Sequence, residues 1–281
     1  MKTVELPDGP AERGVPALGQ GTWNMGETKR AHSDEVAALR LGIDLGMTLI
    51  DTAEMYGEGG AEKVVADAID GQRERVFVVT KVYPHNASRA KLPKACERSL
   101  KRLRIDAIDL YLLHWRGNVP LAETGEAFEK LRVAGKIRHW GVSNFDVEDM
   151  KELLAIENGS ACAANQVLYS LHHREIESEL LPWSQKNKIP IMAYSPVGRG
   201  RRLLNNATLK KIGERHDSTP AQIAIAWVLR QSGIIAIPKA SNKTHVRDNA
   251  QSVDIQLTDQ DFADIDREFP PPRSKQPLPM L

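Results

Sequence analysis

Four residues of the sequence have the types and the spacing needed for acid–base chemistry on a carbonyl group. Asp51 ends an apolar run, Tyr56 follows it by five residues, and two later runs end at Lys81 and His114. A lysine beside a phenol stabilises the phenolate and lowers the pKa of that phenol, and a carboxylate keeps the lysine charged. A histidine that donates a hydrogen bond to a carbonyl oxygen polarises it. The set predicts carbonyl reduction by hydride, with Tyr56 returning the proton.

Eight apolar runs alternate with amphipathic segments and predict the elements that must position these residues. The expected strands are 17–22, 48–53, 76–81, 107–114, 137–143, 162–167, 189–195 and 234–239. Near-continuous apolar strands that alternate with helices predict a parallel sheet covered by helices. A single (β/α)8 TIM barrel of the α/β class fits 281 residues and leaves no exposed sheet edge. An open doubly wound sheet is disfavoured because no Gly-x-Gly-x-x-Gly sequence joins a strand to a helix near the N-terminus.

The active site of such a barrel lies at the carboxyl ends of its strands. Asp51, Lys81 and His114 end or nearly end the second, third and fourth expected strands, and Tyr56 lies just beyond the second. Each residue alone has a commoner structural explanation, such as a helix cap, a surface charge or a packed ring. Their placement at three consecutive strand ends predicts instead that all four converge on one mouth.

Several helix ends are readable from the sequence. Ser33 is expected to cap the first helix, which should stop at Gly46. A later helix has Thr219 as its cap, Pro220 at its first position and Gln222 completing a capping box. These signals predict where two of the covering helices begin.

Two segments fall outside the eight repeating units. Residues 1–16, with a turn at Pro7-Asp8-Gly9, predict a hairpin that plugs the bottom of the barrel. Residues 258–269 predict an extra helix, and the prolines that open the segment 270–281 predict a non-helical tail. No internal linker is evident, so we expect one domain over residues 1–281.

The composition narrows the possible partners and the compartment. Lys plus Arg (38) nearly balance Asp plus Glu (37), so the net charge of +1 predicts attraction neither to nucleic acid nor to membranes. Cys96 and Cys162 have no metal-binding or redox spacing, and no metal is expected. Without a signal peptide, a lipidation motif or a long apolar run, we expect the chain in the cytoplasm. We also expect a monomer, with a small carbonyl compound as its partner.

Eight short motifs resemble, in order, the signature set of the aldo-keto reductases. They are Gly19-Gln-Gly-Thr-Trp23, Asp51-Thr-Ala-Glu-Met-Tyr-Gly57, Lys81, Leu112-Leu-His-Trp115, Gly141-Val-Ser-Asn-Phe145, Asn165-Gln166, Ala193-Tyr-Ser-Pro196 and Ile237-Pro-Lys-Ala240. The match runs from about residue 15 to residue 268. With Gly59-Gly-Ala-Glu-Lys63, the chain most resembles the bacterial branch that reduces methylglyoxal and other small aldehydes. The resemblance implies NADPH-dependent reduction of small aldehydes and 2-oxoaldehydes, with the nicotinamide cofactor extended across the barrel mouth.

The resemblance also implies roles for individual residues. Tyr56 is the expected general acid, Lys81 and Asp51 support it, and His114 orients the carbonyl. The nicotinamide carboxamide is expected to meet polar side chains at two strand ends, Ser143, Asn144 and Gln166. The residues implied to bind the cofactor are Gly21, Thr22, Trp23, Asp51, Ser143, Asn144, Gln166, Tyr194, whose ring would stack on the nicotinamide, Ser195, Pro196, Val197, Gly198, Ile237, Lys239, Ala240, Ser241, Asn242, His245, Asp248 and Asn249.

The choice between NADPH and NADH depends on the segment after the last strand. Lys239 stands where the family places a lysine on the adenosine 2′-phosphate, but His245 stands where an arginine is common. A helix that begins near Asn242 would present free amides and a positive dipole end to that phosphate. We therefore expect NADPH, with NADH as the alternative.

The residues expected around the substrate form an apolar, aromatic pocket suited to short aldehydes. They are Trp23, Met55, Tyr56, His114 and Trp115. The family's usual proline after the His-Trp pair is replaced by Arg116-Gly117, which predicts a more mobile loop. The family's C-terminal substrate loop is shortened, so residues 270–281 are the candidate lid.

Two other functions fit the same residues. One is reduction of diketones or of 2,5-diketogluconate, which a substrate panel would separate. The other is a redox-sensing regulatory subunit, since relatives that accompany potassium channels keep this barrel and cofactor. The intact set of four residues disfavours a barrel without catalysis.

Overall fold

The computed structural model of the protein describes residues 2–7, 14–198 and 202–281. Within these ranges the chain forms ten strands. They are β1 (Thr3–Val4), β2 (Val15–Pro16), β3 (Gln20–Gly21), β4 (Leu49–Asp51), β5 (Phe77–Val82), β6 (Ile108–Leu113), β7 (Ile137–Ser143), β8 (Cys162–Leu168), β9 (Ile191–Tyr194) and β10 (Ile234–Ile237).

Ten α-helices occur in the same described part of the chain. They are α1 (His32–Asp44), α2 (Gly60–Ile69), α3 (Leu92–Leu103), α4 (Leu121–Val133), α5 (Val147–Ala155), α6 (Leu180–Asn187), α7 (Ala207–Arg215), α8 (Pro220–Leu229), α9 (Lys243–Gln251) and α10 (Asp259–Glu268). The longest, α1 and α4, have 13 residues. A membrane-spanning helix needs about 20 residues, so none of these described helices is long and apolar enough to cross a bilayer.

Strands β3 to β10 form one parallel sheet in chain order. The two outermost strands meet, because Leu18 and Gly21 bridge in parallel to Ala236 and Lys239. Across this seam the Ala236 amide donates to the Ala17 carbonyl at 2.8 Å. The sheet therefore closes, and the predicted (β/α)8 barrel is confirmed.

The N-terminal hairpin covers the end of the barrel opposite the strands' carboxyl ends. Strands β1 and β2 pair antiparallel, with Val4 opposite Val15. Both valines are buried in the cluster that contains the barrel-interior residues Leu49 and Leu110. The predicted hairpin is confirmed, whereas the Asp8-Gly9 part of its expected turn lies outside the described residues.

The helix-end predictions were right at α8 and wrong at the start of α1. Thr219 Oγ1 accepts from the Gln222 amide at 3.3 Å, and Gln222 Oε1 accepts from the Thr219 amide at 2.8 Å, which is the expected capping box. Ser33 lies inside α1 instead of capping it, because the backbone is already helical at Ala31 (φ −84°, ψ −14°). Gly46 follows the last turn with φ 91°, as expected for the end of a helix.

Candidate active site

A cavity of about 710 Å³ opens at the carboxyl ends of the barrel strands. Asp51, Ser143, Tyr194 and Ile237 line it, and each is the last residue of its strand. The other predicted cofactor or substrate residues that line the cavity are Gly21, Trp23, Met55, Tyr56, His114, Trp115, Asn144, Gln166, Ser195, Pro196, Val197, Gly198 and Lys239. The structure thus brings together every predicted substrate residue.

Beneath this cavity the Lys81 side chain is hydrogen-bonded to two other predicted catalytic residues, Asp51 and Tyr56. The lysine side chain is completely buried, and Nζ donates to Asp51 Oδ2 at 2.8 Å, to the Thr52 carbonyl at 2.8 Å and to the Tyr56 hydroxyl at 3.1 Å. Three acceptors match the three donors of an ammonium group. The other carboxylate oxygen of Asp51 accepts from Gln166 Nε2 at 2.8 Å. Every charge in this cluster is therefore paired, as burial requires.

Burial and charge act in opposite directions on the two ions of the cluster. Burial alone would lower the pKa of Lys81, but the nearby Asp51 carboxylate and Tyr56 outweigh it, so this pKa lies above its usual value. Burial raises the pKa of Asp51, and the charge of Lys81 only partly offsets that rise. Lys81 therefore stays protonated at neutral pH, as the sequence predicted.

The expected depression of the Tyr56 pKa was wrong. Burial raises the pKa of this phenol above its ordinary value and outweighs the opposing charge of Lys81, while Asp51 raises it further. Sequence reasoning counted the lysine but not the loss of solvent around the hydroxyl. A raised pKa keeps Tyr56 protonated at neutral pH, which is the form that a proton donor requires.

A tight turn after β4 carries Tyr56 to the cavity. The Tyr56 amide donates to the Ala53 carbonyl at 3.1 Å. The next residue, Gly57, has φ 56°, a left-handed conformation that glycine adopts without strain. Lys81 Nζ lies 4.7 Å from the centre of the phenol ring, and the His114 ring meets that ring edge-on at 5.8 Å. The turn and these contacts fix the hydroxyl at the cavity floor.

His114 is held as a neutral imidazole at the cavity. It is 7% exposed, and burial together with the charge of Lys81 lowers the pKa of His114 to about 2. Its buried Nδ1 has no hydrogen-bond partner among the residues that the structure describes. At neutral pH this ring can donate a hydrogen bond to a bound oxygen but cannot supply a proton as an imidazolium.

Polar side chains at the ends of β7 and β9 form a hydrogen-bonded group beside His114 in the cavity lining. Asn144 Nδ2 donates to the His114 carbonyl at 3.2 Å and to Ser143 Oγ at 3.1 Å. Asn144 Oδ1 accepts from the Tyr194 hydroxyl at 3.0 Å, and Ser143 Oγ donates to the Gln166 carbonyl at 2.8 Å. Asn144 has φ 61°, so its backbone turns sharply into the cavity at the end of β7. These hydrogen bonds fix the side chains of Ser143, Asn144 and Tyr194 relative to one another.

Seven of the predicted cofactor residues lie outside the cavity lining. They are Thr22, Ala240, Ser241, Asn242, His245, Asp248 and Asn249. Thr22 is buried beneath it, where its hydroxyl donates to the Asp51 carbonyl at 2.9 Å. The other six follow β10 or belong to α9, whose first turn is capped by Asn242 through its bond to the Thr244 amide at 2.8 Å. Their role in cofactor binding stays a prediction.

Three residues line the cavity that sequence reasoning did not name. Asn24 follows the predicted residue Trp23, and Met280 and Leu281 come from the tail. The sequence predicts the tail only as a candidate lid, because no periodic pattern fixes its path. Its apolar pair Met280-Leu281 after a proline-rich stretch was the one available signal.

The loop after β6 has more attachments than the sequence suggested. Arg116 Nη1 donates to Asp149 Oδ1 at 2.6 Å, and Nη2 donates to Glu152 Oε1 at 2.8 Å. The mobility expected of the Arg116-Gly117 sequence overlooked these ion pairs, because α5 lies far along the chain.

The described residues contain no group of three or more His, Cys, Asp or Glu side chains arranged to hold a metal ion.

Known proteins are similar to this chain over nearly its whole length. Methylglyoxal reductase YeaE of Escherichia coli is 51% identical over 271 residues, which cover 95% of each chain. Glyoxal reductase of Bacillus subtilis is 34% identical over 94% of this chain and 91% of its own. A crystal structure of an aldo/keto reductase from Klebsiella pneumoniae, in complex with NADP and acetate, has a TM-score of 0.97 and 50% identity, covering 100% of this chain and 99% of its own.

The family profile agrees with these relatives and with the motifs. It matches residues 17–268, close to the span over which the sequence resembled the family. The barrel, the paired lysine and tyrosine at its mouth, and the similarity over the whole chain all lead to the same assignment. The chain belongs to the aldo/keto reductase family.

Proposed function

We propose that this chain reduces small aldehydes and 2-oxoaldehydes, such as methylglyoxal, to alcohols with NADPH. The observation that carries this proposal is the hydrogen bond from the buried Lys81 ammonium to the Tyr56 hydroxyl at the floor of the cavity. The names of the relatives in Escherichia coli and Bacillus subtilis support the substrate class. The NADP complex of the relative from Klebsiella pneumoniae supports the cofactor.

The residues around the cavity suit a nicotinamide dinucleotide. Asn144, Ser143 and Gln166 offer amide and hydroxyl groups to a carboxamide, and the Tyr194 ring forms part of the same wall. Lys239, also in the lining, is exposed, and within the described residues the hydrogen-bond partner of its Nζ is Ser241 Oγ, at 3.3 Å. A lysine that pairs with no carboxylate in the described part of the chain and lies beside a helix N-terminus suits a phosphate. When bound, NADPH would supply the hydride.

The protein's own residues would then move and stabilise the proton. Tyr56, kept protonated by its raised pKa, would donate its hydroxyl proton to the carbonyl oxygen as that oxygen gains charge. Lys81, 3.1 Å from the phenolic oxygen, would stabilise the tyrosinate left behind, and Asp51 would keep Lys81 charged and in place. Neutral His114 would orient the carbonyl by a hydrogen bond.

The shape of the cavity supports small substrates with apolar substituents. Trp23, Met55 and Trp115 belong to the cavity lining, and Met280 of the tail contributes a further apolar group to it. Of the described lining residues only Asp51 has a carboxylate side chain, and Lys81 and Gln166 already bond it, so it is not free to bind the hydroxyl groups of a sugar. Short aldehydes would fill such a pocket with little unpaired polarity.

The test is NADPH oxidation by the purified protein with methylglyoxal, an aromatic aldehyde and 2,5-diketogluconate. We expect turnover with the first two and little with the third. Single-turnover stopped-flow with bound NADPH separates a reductase from a redox sensor, since a sensor retains the cofactor and oxidises it very slowly. Failure of both aldehydes to oxidise NADPH would refute the proposal.

A further inference from the structure

Arg116 lies next to a wall of the cavity but does not itself line it. Its guanidinium reaches α5, where it pairs with Asp149 at 2.6 Å and with Glu152 at 2.7 Å. Asp149 is itself fixed, because it belongs to the capping box of α5 and its Oδ2 accepts from the Asp146 amide at 3.3 Å. A planar guanidinium shared by two carboxylates is a directional contact. Arg116 therefore ties the loop after β6 to the start of α5.

The same loop is attached on its other side to the loop after β5. Gly117 lies so close to Pro84 that a Cβ at this position would be 2.5 Å from the proline Cβ. The Trp115 ring meets the Tyr83 ring edge-on at 5.9 Å, and the Tyr83 amide donates to buried Glu54 at 2.8 Å. Packing against Tyr83 thus fixes the Trp115 indole on the side of the loop after β5. Arg116 fixes the Trp115 backbone on the side of α5.

Trp115 is the residue through which this arrangement reaches the substrate. Its ring lies 4.9 Å from the His114 ring, and both rings line the cavity. The Arg116 side chain, at 38% exposed, is partly screened by solvent, and so is Glu152 at 53%. Exposed ion pairs add little to global stability, so their loss should leave the fold intact. Their local effect would fall on the indole that is one residue away.

We propose that Arg116 is a positioning residue for the carbonyl substrate, holding Trp115 against the cavity through its ion pairs with Asp149 and Glu152. This inference rests on the proposed reductase function. Loss of the pairs frees the Trp115 backbone, and substrates whose rings contact the indole lose more binding than substrates without a ring. Cofactor binding is unaffected, because Asn144 of the predicted carboxamide site is held by its own bonds to the His114 carbonyl and to Ser143 Oγ, and Lys239 of the predicted phosphate site lies beyond β10.

The experiment compares Arg116→Met with Arg116→Lys and with a matched control, Lys151→Met. Lys151 pairs with Glu148 at 2.8 Å within α5, and its side chain is 56% exposed against 38% for Arg116. Its substitution removes an ion pair of the same helix that does not reach the loop after β6. For Arg116→Met we expect the KM for an aromatic aldehyde to rise roughly three- to tenfold. We expect smaller changes in the KM for methylglyoxal and none in kcat, Tm or the Kd for NADPH. Arg116→Lys should restore part of the loss, and Lys151→Met should match the wild type.

A second readout does not depend on turnover. Acrylamide quenching of tryptophan fluorescence, measured with and without Trp115→Phe to isolate that indole, should increase for Trp115 in Arg116→Met. A KM and a quenching constant equal to those of Lys151→Met would overturn the proposal. If the wild type oxidises NADPH with neither aldehyde, the proposed reductase function fails, while the quenching comparison still decides whether Arg116 fixes Trp115.

Discussion

Lys81 and Lys239 are two cations near the same cavity, and their surroundings are opposite. Lys81 is completely buried and donates three hydrogen bonds of 2.8 to 3.1 Å. Lys239 is exposed, and its ammonium makes one hydrogen bond within the described residues, to Ser241 Oγ at 3.3 Å. A charge that must act on a reacting proton is fixed in advance, because reorganisation would cost rate. The proposed phosphate-binding role of Lys239 suits the opposite arrangement, since no carboxylate among the described residues pairs with it.

The largest difference between the two lysines should be in stability. Lys81→Met leaves Asp51 buried without its partner, and we expect the free energy of unfolding to fall by about 3–5 kcal/mol. Lys239→Met removes an exposed charge and should change it by less than about 0.5 kcal/mol. Urea denaturation measures both. Equal losses in the two variants would mean that the buried pair is not a special feature of the fold.

A double variant extends that test to function. Asp51→Asn with Lys81→Met removes both charges of the buried pair and should recover much of the lost stability. It should not recover turnover, because the tyrosinate would form without a neighbouring cation. Recovered turnover would show that Lys81 acts only in folding.

His114, like Lys81, should affect the stability of the protein, because its surroundings in the folded state also determine its charge state. Its pKa is about 2 in the folded state and about 6.5 when exposed, so between these values the unfolded chain binds a proton that the folded chain does not. Stability is then lost as pH falls below 6.5, by up to about 1.4 kcal/mol per pH unit. His114→Gln should show a shallower loss in urea titrations from pH 7 toward pH 4. Parallel slopes for the two proteins would contradict a buried, neutral imidazole.

The smallest expected effect concerns Lys239 and the choice of cofactor. Removal of one charged contact to a phosphate in a solvent-exposed site should weaken NADPH binding on the order of tenfold. Lys239→Ala should leave NADH binding unchanged, since NADH has no 2′-phosphate. Fluorescence titration with both cofactors gives the two values. An unchanged Kd for NADPH would remove Lys239 from the phosphate site.

The convergence of the residues at the strand ends was predictable from the sequence. The degree to which the loops bury those residues was not. Asp51, Lys81 and His114 each follow an apolar run, and the carboxyl ends of parallel strands meet at one face, so their convergence followed from order alone. The rise in the Tyr56 pKa depends on how completely the turn after β4 excludes water, which no pattern of residues reports. The fold was predictable for the same reason as the strand ends, because eight apolar runs fix the barrel.

The features that could not be predicted from the sequence are mostly contacts between segments that lie far apart along the chain. Arg116 lies more than 30 positions from its partners on α5, and neither carboxylate is marked in the sequence as anything but a helix-surface charge. Met280 reaches the cavity along a tail whose path is set by packing and not by period. Ser33 has the right type for a cap, but the helix begins before it. Each of these outcomes depends on tertiary packing, which overrides a local signal.

The role of Tyr56 as proton donor is tested most directly by Tyr56→Phe, which removes the hydroxyl and keeps the ring. We expect kcat/KM for methylglyoxal to fall by roughly 10²–10⁴-fold, the usual contribution of a positioned general acid. We expect the Kd for NADPH, measured by fluorescence titration on the same sample, to stay at the wild-type value. A kcat/KM close to that of the wild type would contradict this assignment, and loss of NADPH binding together with activity would assign Tyr56 a structural role instead.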